Sequence, residues 1–406
     1  MTRRIRLAYL VSHPIQYQAP LLRRMAEERD LDLTVFFGSD FSVRGYKDEG
    51  FGVGVEWDVP LLDGYKHEFL PALRDPGKVG VASPLNRGIA SRLRGRGPER
   101  QFDVLWVHGY ATVNAIHGML AAKALGIPVL LRAESWLKDR SRSTSKLALK
   151  RGFFELLKSL VDGVLPIGSL NAEYWRYYFG EDVPQFLMPY AVDNRYFAQR
   201  SLAAGAGRAA LLRELALDEE GPVILFASKL QTRKRCADLV EAYARLTQAG
   251  GYAGRASLLI VGDGEERGPL EAMVREMGLT GVRFCGFRNQ SELPAFFDLA
   301  TVFVLPSEHE PWGLIVNEVM NAGRAVIVSD DVGCQPDLIT DGVEGCVFHV
   351  GDVDGLTGAL ARALATPEMA AEMGLRAKER IGQWDFEADV RGLRAAIETV
   401  TRGLRA

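Results

Sequence analysis

The chain has 406 residues, 47% hydrophobic and 25% charged, ordinary proportions for a globular protein at a length that exceeds one hydrophobic core, so two domains are expected. A formal net charge of -3 argues against nucleic-acid binding, which normally shows as a basic domain. No apolar run approaches the roughly 20 residues of a membrane helix. Cys236, Cys285, Cys334 and Cys346 and the scattered histidines follow no metal-ligand spacing, so no resident metal is expected and the cysteines read as reduced thiols packed like small hydrophobes.

The basic opening Met1 to Arg6 runs into an apolar stretch that breaks at Ser12-His13-Pro14 without a small-residue cleavage site. It reads as a first strand, Ile5 to Val11, rather than a signal peptide, and a cytoplasmic location is expected. A helix over 19–29, a strand over 31–37, strands at 103–108, 128–134 and 163–167, and helices over 111–125 and 146–160 follow. This βαβ punctuation implies a parallel sheet covered by helices. Between Gly38 and Gln101 the order weakens into loops and short strands. After Phe197 the alternation restarts, with strands at 223–229, 257–262, 282–286, 301–305 and 325–329. The expected organisation is therefore two doubly wound Rossmann-like domains facing each other across a cleft, 1–198 and 199–384, with a closing helix over 385–406 that packs back on the first.

In open parallel sheets ligands bind beyond the carboxyl ends of the strands, and the candidate residues lie there. His13, Gln16 and Tyr17 follow the first strand and form a ligand-contacting set on the acceptor or phosphate side. His108 ends another strand of the same domain and points to the same cleft. In the second domain, Lys229, Arg233, Lys234 and Arg235 follow a strand, and cations there can neutralise a diphosphate as a group departs. Gly262-Asp263-Gly264 resembles part of a dinucleotide fingerprint, but Arg267 stands where the third residue would be, which argues against a nicotinamide enzyme. Gly286 ends a neighbouring strand.

The run Glu308-His309-Glu310-Pro311-Trp312-Gly313-Leu314 reads as a strand exit and helix start with Pro311 in the first turn. Backbone amides of Trp312, Gly313 and Leu314 would then face a phosphate or a hydroxyl-rich sugar. Glu318 sits two turns in, roughly 10 Å along the axis from Glu310, a span that one nucleoside diphosphate sugar can bridge.

Taken in order, Val104 to His108, Met188-Pro189-Tyr190-Ala191-Val192-Asp193 with Phe197, Ser228-Lys229-Leu230 with Lys234, Val261 to Gly264, Phe284-Cys285-Gly286, Glu310 with Glu318, Asp341 to Gly345, Val350 to Asp352 and Gln383-Trp384 resemble the retaining glycosyltransferases of family 4 (glycosyl transferases group 1), which have the GT-B fold. The resemblance implies transfer from a nucleoside diphosphate sugar to an acceptor glycan, lipid-linked saccharide or small molecule, with no cofactor and no catalytic metal. It implies that Lys229 and Lys234 hold the diphosphate, Glu318 the ribose hydroxyls, Glu310 the donor sugar, and that His108 lies near the reacting sugar. Three departures stand out. Ser12 to Tyr17 replaces a glycine-rich loop, Lys229 stands where arginine is usual and loses the bidentate fork, and Tyr190-Ala191 replaces a frequent Asn-Gly. Two other readings share the fold: a sugar-nucleotide epimerase, and a non-catalytic sugar-nucleotide binder.

From Lys138 to Arg151 the chain carries Lys138, Arg140, Arg142, Lys146, Lys150 and Arg151 against Asp139, and Phe153-Phe154 and Leu156-Leu157 follow. A basic segment running into an amphipathic helix fits an anionic membrane surface, so peripheral contact with the inner membrane surface is a further expectation, beside the alternative of an ordinary surface helix.

Overall fold

The computed structural model describes residues 4–47, 50, 52, 54–74, 79–95, 101–138, 144–248 and 250–402. The chain divides into two compact units, one of Met1–Tyr46, Val59–Tyr190 and Phe386–Ala406, the other of Lys47–Asp58 and Ala191–Asp385. Along the first half run strands β1 (Ile5–Val11), β2 (Leu31–Phe37), β3 (Tyr46–Lys47), β4 (Gly54–Val55), β5 (Lys66–Phe69), β6 (Val104–His108), β7 (Val129–Arg132) and β8 (Gly163–Val164). Strands β3 and β4 make a small ribbon. The other six form one sheet in the order β5-β2-β1-β6-β7-β8, every neighbour parallel. Leu7 to Val11 and Val104 to Val107 are almost wholly buried, as the near-continuous apolar runs require when helices cover both faces of a parallel sheet. The register sets Leu7 opposite Leu33 and Val104, so the carboxyl ends of β1, β6 and β7 emerge side by side.

The helix over Phe386–Thr401 carries Val390, Leu393, Ala396 and Ile397 at helical spacing, and this stripe is buried with Leu7, Leu21, Leu22, Met25 and Leu31. Arg24 pairs with Glu387 at 2.7 Å, and Arg394 with Asp30 at 2.6 Å. Arg132, 2% exposed, meets Asp389, 0% exposed, at 3.4 Å. A lone buried charge at either position would be costly, so each residue makes the other tolerable.

In the second unit β9 (Val223–Ala227), β10 (Ser257–Val261), β11 (Val282–Gly286), β12 (Val302–Leu305), β13 (Ala325–Ser329) and β14 (Gly345–Phe348) form a parallel sheet in the order β11-β10-β9-β12-β13-β14. Its core joins Ile224, Phe226, Leu258, Ile260, Val302, Val304 and Ile327 to Leu239, Tyr243, Leu356 and Leu360. Both sheets therefore have the doubly wound order expected from the alternation of apolar runs.

One local reading is corrected. The helix after β12 spans Leu314–Asn321, so Pro311 lies ahead of it rather than in its first turn, because Gly313 adopts φ +91° and breaks helical continuity. Of the basic run, Asp139, Arg140 and Arg142 lie outside the described residues. Lys150 sets its ammonium 4.6 Å and 4.7 Å from the ring centres of Tyr174 and Tyr178, so this cation packs against its own unit. Among the described residues no helix is long and apolar enough to cross a membrane.

Candidate active site

In the second unit the ends of β9, β10, β11 and β12 bear the candidate donor residues. Lys229 follows β9. Gly262, just beyond β10, has φ +137°, and a Cβ there would stand 1.9 Å from the Ser228 carbonyl. The position therefore admits only glycine, and its amide donates to the Gly286 carbonyl at 2.8 Å, tying the ends of β10 and β11 together. After β9 the chain turns through Thr232–Lys234, which carries Lys234 inward to 7% exposure. There its ammonium contacts Glu310 Oε2, while Arg233 lies 3.4 Å from the same oxygen. Burial pushes the Lys234 ammonium below the usual lysine range, and the Glu310 carboxylate counters that shift.

The Glu310 loop is held from two sides. The Glu310 amide donates to the Asp331 carbonyl at 3.1 Å, the Gly333 amide to the Glu310 carbonyl at 2.8 Å, and the Glu308 amide to the Arg233 carbonyl at 2.7 Å. His309 takes the left-handed region, φ +51°, uncommon for a residue with a side chain. Its amide donates to Asp331 Oδ2 at 2.7 Å, and its Nδ1 lies 3.0 Å from the same oxygen. Trp312 has a buried indole that donates to Asn317 Oδ1 at 3.0 Å and stacks on Trp384 at 5.7 Å. Its side chain thus braces the loop, and only its backbone is left for the role assigned to it beside Gly313 and Leu314. First-turn amides have no acceptor within their own helix. Glu318, 8% exposed, leaves Oε2 without a hydrogen-bond partner, and burial pushes its carboxyl up to about 8. Among the described residues no group of three or more His, Cys, Asp or Glu is arranged to hold a metal ion.

In the first unit a second polar group gathers beyond β1, β6 and β7. Tyr9 donates its hydroxyl to Gln18 Oε1 at 2.6 Å, which turns the Gln18 amide nitrogen toward the His108 ring at 3.1 Å. His108 Nε2 lies 3.4 Å from Glu134 Oε1. The Gln18 amide nitrogen stands 3.1 Å from both ring nitrogens, and Nε2 also faces Glu134, so the imidazole is engaged inside the unit. Such a histidine takes a substrate proton only by giving up one of these bonds. Tyr17 donates to Glu134 Oε1 at 2.9 Å, and Tyr190 donates to the same oxygen. Burial alone would raise the Glu134 carboxyl, but His108 and the two phenols hold it down at about 2. His13 is pushed down to about 4 by burial and by His108. Its ring lies 4.6 Å from Phe41, and Ser12 Oγ is 2.8 Å from its Nδ1. Gln16, three residues after His13, has its Oε1 buried without a hydrogen-bond partner.

The structure thus joins Lys234 to Glu310, and Tyr17 and His108 to each other through Glu134. No hydrogen bond links Glu310 to Glu318 among the described residues. Sequence reading gives no role to Glu134, Tyr190 or Asp331. Glu134 had one usable signal, a carboxylate just past the end of a parallel strand beside the strand that ends in His108. Asp331 had none, because its carboxylate and carbonyl hold His309 and Glu310 from twenty-odd residues away.

The profile of the family described as Glycosyl transferases group 1 matches residues 208–380. The lipopolysaccharide core biosynthesis glycosyltransferase LpsE of Rhizobium meliloti is 32% identical over 188 residues, covering 45% of this chain and 52% of that protein, so the chain spans about half the length of this relative. N-acetyl-alpha-D-glucosaminyl L-malate synthase of Bacillus anthracis is 27% identical over 73% of this chain and 74% of its own. Among solved structures, Anabaena Alr3699/HepE in complex with UDP and glucose superposes with a TM-score of 0.70 at 16% identity, covering 98% of this chain and 100% of that one. Two six-stranded parallel sheets of this order, matched over nearly the full length, make the architecture GT-B, and the glycosyl transferases group 1 profile covers residues 208–380 of it.

Proposed function

We propose that the protein is a retaining glycosyltransferase of family 4 that moves a sugar from a nucleoside diphosphate sugar to an acceptor hydroxyl. The observation that carries this reading is the buried Lys234–Glu310 pair, set at the end of β9 and β12 with Lys229 near enough to depress the Lys234 ammonium further. A cation held where water is scarce stabilises a departing diphosphate far more than one in bulk solvent. In this reading Lys229 and Lys234 receive the diphosphate, Glu318 the ribose hydroxyls, Glu310 the donor sugar together with the amides of Trp312, Gly313 and Leu314, while Gly262 and Gly286 let the donor approach the backbone. His13, Gln16, Tyr17 and His108 serve the acceptor side. Because these cations compensate the phosphate charge, no cofactor or metal is required.

Thermal shift of the purified protein against UDP, GDP, ADP and dTDP tests the donor half. One nucleotide is expected to raise the melting point, since ligand at 100 times its dissociation constant adds about 2.7 kcal/mol. UDP is the first to try, being the nucleotide in the Anabaena structure. Turnover of the matching nucleotide sugar should need an acceptor and persist in EDTA. Loss in EDTA with recovery on Mg²⁺ would overturn the metal-free part. Release of an altered nucleotide sugar without acceptor would favour an epimerase.

Peripheral membrane contact forms a second part of the proposal. Beside the basic run, Leu156 is 71% exposed, Phe153 is exposed, and Arg151 hydrogen-bonds the exposed Tyr177 at 2.6 Å. Binding to phosphatidylserine vesicles is expected at about 0.1 M salt and should fade at about 1 M, as the Debye length shrinks from about 10 Å to 3 Å. Co-sedimentation unchanged in an Arg151→Gln, Leu156→Ser variant would remove this surface from the account.

A further inference from the structure

Glu134 holds its carboxylate asymmetrically. Tyr17, Tyr190 and His108 all converge on Oε1, whereas Oε2 receives no hydrogen bond among the described residues, and the side chain is 35% exposed. The three donors come from different places in the chain: the turn after β1, the end of β6, and the segment leading out of the unit. The Tyr17 and Tyr190 rings also meet edge to face at 5.2 Å, which fixes both hydroxyls. A carboxylate needing only a structural home would share its donors between two oxygens or turn the second into solvent on a mobile stem. Here one oxygen is clamped, so the other is presented at a set position as an acceptor-only group.

The surroundings restrict what it can receive. The buried His13 is neutral at physiological pH. Arg132 directs its guanidinium to the Met188 and Pro189 carbonyls at 3.1 Å and 2.8 Å and to Asp389. Among the described residues no arginine or lysine pairs with Glu134, His108 faces Oε1 rather than Oε2, and the carboxylate itself repels an anion.

We infer that Glu134 is a specificity-determining residue of the acceptor site, taking a hydroxyl of a neutral sugar or polyol on Oε2. This rests on the glycosyltransferase reading and adds the acceptor class to it. A phosphorylated or carboxylated group is excluded from this position, because it would place like charges together with no donor between them. The clamp also sets the hydroxyl's orientation, since Oε1 cannot rotate away without releasing two phenols at once.

The test uses the full chain and saturation-transfer NMR with the methyl α-glycosides of glucose, galactose and mannose, with myo-inositol, and with glucose 6-phosphate, each beside the nucleotide that shifts the melting point. Glu134→Gln is the informative variant. Its amide oxygen can keep the three donors on Oε1, while its NH2 replaces the open acceptor with a donor. At least one neutral probe should bind the parent and bind the variant about tenfold or more weaker, as expected when a hydrogen bond to a charged group is lost. The nucleotide shift should stay unchanged, while the melting point falls somewhat, because the three donors then meet a neutral amide in place of an ionised carboxylate. The inference is overturned if glucose 6-phosphate alone binds the parent, if no probe binds it, or if the variant binds the neutral probe as well as the parent does. Absence of a shift with every nucleotide would instead count against the glycosyltransferase reading, so the two failures are separable.

Discussion

Glu310→Gln is expected to lower transfer about 100- to 1,000-fold, the scale of removing a preorganised charged group from a reacting centre, while changing the nucleotide shift little. The choice of glutamine over alanine follows from the structure. As an exposed carboxylate Glu310 could be truncated without consequence for stability, but its side chain is 12% exposed and its partner Lys234 is 9% exposed. Removing one member of a buried pair strands the other charge and costs about 3–5 kcal/mol, so an alanine variant would confuse lost chemistry with lost fold. A second variant separates them further. Replacing both residues by methionine removes the pair together, a change that is often neutral or stabilising in a buried site, and it should leave the melting point near the parent value with transfer abolished. Parent-like turnover in Glu310→Gln would sink the assignment of Glu310 to the donor sugar.

Much of this architecture is legible in residue order because it depends on local pattern. Buried parallel strands favour apolar runs, and Leu7 to Val11 and Ala325 to Val328 are unbroken ones, while Leu31 to Phe37 is interrupted by Asp32 and Thr34 and the edge strand Val282 to Gly286 carries Arg283. The elements that escape are those without such a pattern. Lys66–Phe69 is a half-exposed edge strand with a lysine, a histidine and a glutamate, and Gly345–Phe348 is a four-residue strand at the opposite kind of edge. The helices Ser169–Phe179 and Asn194–Ala204 carry mixed aromatic and polar faces, so no clean apolar stripe announces them. Site residues divide the same way. Lys234, Glu310 and Glu318 stand at strand exits or on a short helix and can be picked out by spacing. Glu134 gains its meaning only when Tyr17, His108 and Tyr190 arrive from 117, 26 and 56 residues away, a convergence that no local window contains. Composition hides burial as well. The three successive cations Arg233, Lys234 and Arg235 look alike in sequence, yet the turn that follows β9 drives only Lys234 among them into the interior.

Glu318→Gln should stabilise the unliganded protein above neutral pH and weaken the nucleotide at the same time. Glu318 is buried with one oxygen unpartnered, and its carboxyl is raised from 4.5 to about 8. The raised value means that between pH 4.5 and 8 the unfolded chain has lost this proton while the folded chain keeps it. Stability then falls as pH rises, by about 1.4 kcal/mol per unit, and levels off above pH 8, a total of roughly 5 kcal/mol. Glutamine cannot ionise, so urea unfolding should give similar stabilities for parent and variant near pH 5 and a gap of several kcal/mol in favour of the variant near pH 9. A gap that does not widen with pH would show that the carboxyl is not held protonated. The nucleotide provides the compensation that such a site requires. Ribose hydroxyls are the donors that the unpartnered oxygen lacks, and they favour the ionised form, so parent affinity should climb toward pH 8 while that of the variant stays flat. Because the ribose is held alike before and during transfer, the variant should raise KM for the donor more than it lowers kcat, by about 10- to 100-fold if a charged hydrogen bond is lost. A fall in kcat at unchanged KM would move Glu318 from holding the donor into the chemistry itself.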